Sequence, residues 1–231
     1  MKLKKPAFAE ALLSLFYPRI CAACTHSLFS HEKVICMHCE RHLPRTGFED
    51  WSENPIEKIF WGRVYIAGAS ALYFYGKGEK VQRLMHGLKY RGRKDIGLWL
   101  GKQLGISLLK GGRIDQIDYI VPIPLHPKKE YQRGFNQSAL ICQGIAEVTG
   151  WVFSPLLERT ENTDTQTRKS KYDRWKNVSG KFRVKPGSNL DSLNILLVDD
   201  IVTTGATLEA SARILLDAGV RRVYIATIAA A

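Results

Sequence analysis

Residues 195–208 read ILLVDDIVTTGATL: four apolar residues run directly into two adjacent aspartates and a Thr-Gly turn. The apolar run Ile195–Val198 fits a central strand buried on both faces, which puts Asp199 and Asp200 where the strand's carboxyl end meets a loop. Next, Thr203, Thr204, Gly205, Ala206 and Thr207 lead into a helical pattern. First-turn amides and hydroxyls there can surround a phosphate, because the helix dipole favours an anion. Gly205 permits the tight turn and close backbone approach. Two carboxylates beside that cradle would repel a second phosphate. They suit sugar hydroxyls, from which they accept hydrogen bonds, or a hydrated Mg²⁺. A phosphate next to a diol describes a ribose 5-phosphate. The plainer alternative is an ordinary strand-turn-helix with capping Thr and Asp.

Outward from this stretch, strand-like and helix-like segments alternate: DYIVPIP (118–124), a basic loop, FNQSALICQGIAEVTG (135–150), WVF (151–153), a polar stretch, NILLVDD (194–200), ATLEASARILLDAGV (206–220) and RRVYIATIA (221–229). Upstream, VYIAGASALYFYG (64–76) reads as strand, followed by helical patterns over Lys80–Tyr90 and Lys94–Leu109, the second stopped by Gly111-Gly112. Such alternation predicts an α/β domain whose parallel sheet is flanked by helices on both faces, with ligands at the carboxyl ends of strands.

Four of the five cysteines form one pattern: Cys21 and Cys24, eleven residues, then Cys36 and Cys39. Each CxxC turn lets two thiolates converge, and two turns complete the closed tetrahedral site of structural Zn²⁺. With few large apolar residues from Tyr17 to Pro44, the segment needs that staple. Disulfides and an iron-sulfur cluster are the alternatives. His26, His31, His38 and His42 lie close by, but four thiolates already make a full set, so the histidines are expected to face solvent. Cys142 sits in an apolar helical pattern and is expected to be a buried small hydrophobe. The organisation expected is a helix over residues 1–16, a four-cysteine finger over 17–45, a polar linker over 46–58 and the α/β domain over 59–231.

A hydrophobic content of 45% supports a sizeable core. No window approaches the roughly 18 apolar residues of a membrane span. The start MKLKK lacks a secretory signal's apolar run, so a cytoplasmic protein is expected. A net charge of +12 favours a polyanionic partner. The charge concentrates in Lys77–Lys94 and in Arg168–Lys185, the latter with eight basic residues and one acidic. Within the second run Lys171, Tyr172, Arg174, Trp175 and Lys176 interleave cations with two aromatics that would share a helix face, the usual means of holding single-stranded nucleic acid without reading its sequence. A solvated helix with inward-packed rings is the alternative.

VDDIVTTGAT (198–207) resembles the 5-phosphoribosyl pyrophosphate (PRPP) motif of type I phosphoribosyltransferases. The resemblance implies that Asp199 and Asp200 hold ribose hydroxyls, that Thr203–Thr207 wrap the 5-phosphate, and that Mg²⁺ accompanies PRPP. VPIPLHPKKEYQRGFNQS (121–138) and QTRKSKYDRWKNVSGKF (166–182), with the four-cysteine finger, look like the ComF family, also called ComFC, of phosphoribosyltransferase-like competence proteins. That resemblance covers nearly the whole chain from Tyr17. It implies a role in natural transformation and DNA uptake: cytoplasmic handling of incoming single-stranded DNA, with a ComF-type helicase or other competence proteins as partners. It also implies a pyrophosphate loop after the PIP strand, here Lys128, Lys129 and Arg133; Lys129 and Tyr131 stand where relatives often carry arginines. An active PRPP-dependent phosphoribosyltransferase acting on a nitrogen base, and a non-catalytic PRPP sensor, are the alternative functions. No catalytic residue is identified by sequence.

Overall fold

The structure, a computed structural model, describes residues 18–76, 79–159 and 182–231. The expected N-terminal helix and the aromatic-basic run 171–176 lie outside these residues. Among the described residues no helix is long and apolar enough to cross a membrane.

Five strands, β1 (Gly68–Phe74), β2 (Tyr119–Pro122), β3 (Val152–Phe153), β6 (Asn194–Val202) and β7 (Arg222–Ala230), form one sheet in the order β1-β7-β6-β2-β3. Every pairing in it is parallel. Two short strands, β4 (Leu157–Arg159) and β5 (Phe182–Val184), make a separate antiparallel pair within the polar stretch between Phe153 and Asn194.

The central strand alternates between two cores. Leu196 and Val198 pack with Leu100, Ile141 and Ile145 on one face. Ile195 and Leu197 pack with Leu208, Ala212 and Leu215 on the other. A short helix, α1 (Met37–His42), lies in the cysteine segment; the first face of the sheet carries α3 (Glu79–Tyr90), α4 (Lys94–Gly111) and α6 (Gln137–Thr149). The second carries α2 (Pro55–Ile59) and α7 (Ala206–Asp217). An unbroken apolar run is the sequence form of this two-sided burial.

Three expectations are revised. Asp199 and Asp200 do not follow the strand but lie within it, because β6 goes on pairing with β7 as far as Val202 with Ala230. The basic segment after β2 is not a loop: it forms α5 (Pro127–Arg133), with Pro127 in its first turn, the His126 side chain accepting from the Lys128 amide, and Gly134 ending it in the left-handed conformation. Proline at a helix start and glycine just past its end are favoured there for their fixed and free φ respectively. The stretch 46–58 is also more than a spacer. Phe48 and Ile56 join the second core. Fully buried Asn54 caps α2 by accepting from the Ile56 and Glu57 amides, and donates to the Phe48, Trp51 and Ala69 carbonyls.

Helices α4 and α6 touch backbone to backbone. A Cβ on Gly101 would collide with the Ile141 carbonyl, and one on Gly144 with the Leu98 carbonyl. Interiors packed to crystal density have no slack for such atoms. Gly101→Ala should therefore lower the unfolding free energy by about 1–3 kcal/mol, read from urea midpoints; a variant as stable as wild type would contradict direct backbone contact.

Candidate functional site

The chain leaves β2 toward α6 on one face and leaves β6 toward α7 on the other, although β2 and β6 are neighbours. Connections that part in this way open a crevice at the carboxyl ends of the two strands, the usual ligand position in open α/β sheets. β2 ends at Pro122 opposite Val198, whereas β6 continues along β7. Asp199 and Asp200 therefore emerge where β6 has lost one neighbour.

Both aspartates find partners on the face carrying α3 and α6. Asp199 Oδ1 accepts from Ser138 Oγ at 3.0 Å and from the Asp200 amide at 2.8 Å. Asp200 Oδ2 pairs with Lys89 Nζ at 2.9 Å. Ser138 is held in turn at the start of α6, where its amide donates to the capping Asn136 side chain. Burial, and next the Asp200 charge, raise the Asp199 carboxyl to about 7, against the opposing pull of the Asp200 amide, the Ser138 hydroxyl and Lys89. A neighbouring carboxylate disfavours the charged form, which adds to the effect of burial at Asp199.

Beyond the pair, Gly205 turns the chain with φ +72° and is buried. A Cβ there would press on Ile59 and Phe60 of the opposite core, so the close approach also demands glycine. Thr203, Thr204, Ala206 and Thr207 are exposed around it. No side chain caps α7, which leaves its first-turn amides for solvent or a ligand. From behind, Arg63 braces the turn, donating to the Thr204 carbonyl and to Glu209.

Helix α5 brings two of the three expected pyrophosphate residues together. Lys129 and Arg133 line a cavity of about 530 Å³ with Lys89, Tyr90 and Arg91; Lys128 is exposed and does not line it. Sequence reading missed Lys89, Ser138 and Arg63. Lys89 lay within a recognised basic run and Ser138 within a recognised motif, but nothing local pointed to their partners.

The cysteines converge as expected. All four Sγ atoms lie within 4.8 Å of one another, and those of Cys24 and Cys36 are 3.7 Å apart. Four thiolates about 2.3 Å from one ion would stand roughly 3.8 Å apart in a tetrahedron, so the donor set fits one metal. The Cys36 amide donates to Cys21 Sγ and the Cys39 amide to Cys36 Sγ. Burial first pushes Cys39 and Cys36 up; the Cys24 and Cys36 thiols add to it at Cys39, whereas at Cys36 the amide and thiol of Cys39 oppose it. Against burial, amides of Cys36, Cys24 and Ala23 bring Cys21 down to about 7. His26, His31, His38 and His42 are exposed and outside the cluster, while Cys142 is buried.

The fold and the cysteine cluster define a phosphoribosyltransferase-like α/β protein with an N-terminal four-cysteine module. Residues 152–231 match the phosphoribosyl transferase domain family. Competence protein ComFC of Bacillus subtilis is 36% identical over 205 residues, covering 87% of this chain and 79% of that protein. The chain belongs to the ComF/ComFC family. Competence protein F of Haemophilus influenzae is 27% identical over 215 residues, covering 89% and 88% of the two chains. The DNA utilization protein YhgH of Salmonella typhi is 34% identical over 146 residues, a match spanning 62% of this chain and 63% of that one. Among solved structures, glutamine PRPP amidotransferase from B. subtilis complexed with ADP and GMP is similar with a TM-score of 0.44 and 20% identity, over 62% of this chain and 30% of that chain.

Freshly purified protein should carry about one zinc or iron ion per chain by elemental analysis, and Cys39→Ser should lower both metal content and melting temperature, since binding and folding of such a module are linked. Four freely titrating thiols with no stoichiometric metal would contradict a metal centre.

Proposed function

We propose that the chain is a ComF-type competence protein that binds a phosphoribosyl group in the β6 crevice and handles incoming single-stranded DNA in the cytoplasm during natural transformation. The names borne by its relatives support the second half: Competence protein F, Competence protein ComFC and DNA utilization protein. The first half rests on one observation, the Asp199–Asp200 pair beside an α7 N-terminus that turns on Gly205 and lacks a side-chain cap.

In this reading the exposed Thr203–Thr207 turn holds the 5-phosphate through first-turn amides and hydroxyls. Asp199 and Asp200 accept from the ribose hydroxyls, Asp199 after losing its proton. Lys89, Lys129 and Arg133 face the diphosphate from the cavity between α3 and α5. The acidic pair and a nearby diphosphate also fit Mg²⁺, which would supply charge neutralisation. In the cysteine module Cys21, Cys24, Cys36 and Cys39 would hold a structural zinc ion, in a closed site with no open position for substrate.

Calorimetry with PRPP plus Mg²⁺, and separately with inorganic phosphate, tests the division of labour. Asp200→Asn keeps the shape and removes the charge. It should weaken PRPP by about tenfold or more, in line with the roughly 1.5–3 kcal/mol of a hydrogen bond to a charged group, and should leave phosphate within about twofold. Equal weakening of both, or no PRPP binding by wild type, would overturn the reading.

A further inference from the structure

A second cavity, of about 480 Å³, lies between the cysteine module and the α3–α4 corner. Its walls include Gln82, Arg83, His86, Arg91 and Arg93, with Ile20, Ala22 and Thr25 of the module opposite. Arg91 also lines the cavity that holds Lys89, Lys129 and Arg133. The two basic hollows thus adjoin across the turn Tyr90-Arg91-Gly92-Arg93. Among the described residues neither lining contains a carboxylate, although the neighbourhood is not free of them: Lys89 pairs with Asp200, and Arg93 with Asp95 beyond the rim. On the ridge, Tyr90 is 67% exposed. His86 lies beside it with ring centroids 5.0 Å apart, and the Arg133 guanidinium sits 5.4 Å from its centroid.

We propose that this ridge and its two hollows form a docking track for single-stranded nucleic acid, running from the cysteine module to the rim of the β6 crevice. A small anion would fill one hollow and leave the other. A ligand that uses both must be extended, negatively charged at intervals, and able to lay flat rings against Tyr90, which describes an unpaired nucleic-acid strand. A duplex is stiff and keeps its bases stacked inside, so it can offer the ridge only phosphates. The track rests on the DNA-handling reading above and places the contact on α3, α5 and the module, whereas sequence reasoning pointed to 171–176. The module acquires a purpose in the same step, as one wall of the track.

The test is fluorescence anisotropy of a labelled 20-residue oligothymidylate with the full chain. Arg91→Glu alters both hollows, and Gln82→Glu puts a carboxylate in the one nearer the module. Lys110→Glu makes the same charge change as Arg91→Glu at an exposed position outside both. Arg91→Glu should weaken binding by about tenfold or more, Gln82→Glu by about threefold, and Lys110→Glu by less than about twofold. Tyr90→Ala should weaken binding while leaving the salt slope unchanged, because stacking releases no counterions. If wild type binds but Arg91→Glu and Gln82→Glu lose no more than Lys110→Glu, the track is wrong and other residues hold the strand. If wild type does not bind at low salt, the DNA-handling reading itself falls. Should Arg91→Glu melt early, the exposed Gln82 substitution decides alone.

Discussion

Everything at the candidate site depends on placing two consecutive carboxylates within a strand, directly after residues that are buried on both faces. An ionised carboxylate taken from water without partners costs several kcal/mol. The fold meets that cost with a hydroxyl from α6, an amide from the strand itself and an ammonium from α3. Each partner needs its own element in position, so the packing of α3 and α6 on one face is a condition of the site. The backbone contact of α4 with α6 through Gly101 and Gly144 supports that condition from the next layer. Burial outweighs these partners at Asp199, whose carboxyl is raised to about 7.

The same face receives the cysteine module. Cys21, Ala23, Val34, Ile35, Cys39 and Leu43 share a cluster with Leu84, Met85 and Leu88 of α3. The cysteine cluster and α3 thus share one core, and α3 links the module to the crevice: its body shares that core with Cys21 and Cys39, its Lys89 reaches Asp200, and its end carries Tyr90. A segment with few large side chains cannot hold such a place by burial alone.

Strand β6 and helix α7 were legible in the sequence because two-sided burial leaves an apolar run and the Gly205 turn leaves a glycine, both local signals. How far β6 extends was not, since that depends on β7 continuing beside it. Helix α5 was read as loop because none of its residues is buried, which removes the periodicity that reveals helices; only Pro127 and Gly134 marked its ends. The 46–58 stretch looked like a linker from its polar composition, yet a single buried Asn54 with several backbone partners ties it to the core. Lys89 with Asp200, and Arg63 with Glu209, are pairs far apart in sequence that only the packed fold brings together. The four cysteines needed no such help, because their spacing is itself the geometry.

The central claim is that the Asp pair and the α7 N-terminus act together on one ribose phosphate. An amide NMR titration of the full chain with ribose 5-phosphate tests it most directly. Shifts concentrated at residues 199–200 and 203–207 and saturating with one affinity are the expected result. Shifts confined to the basic residues of α3 and α5, with the amides of 203–207 unmoved, would contradict it.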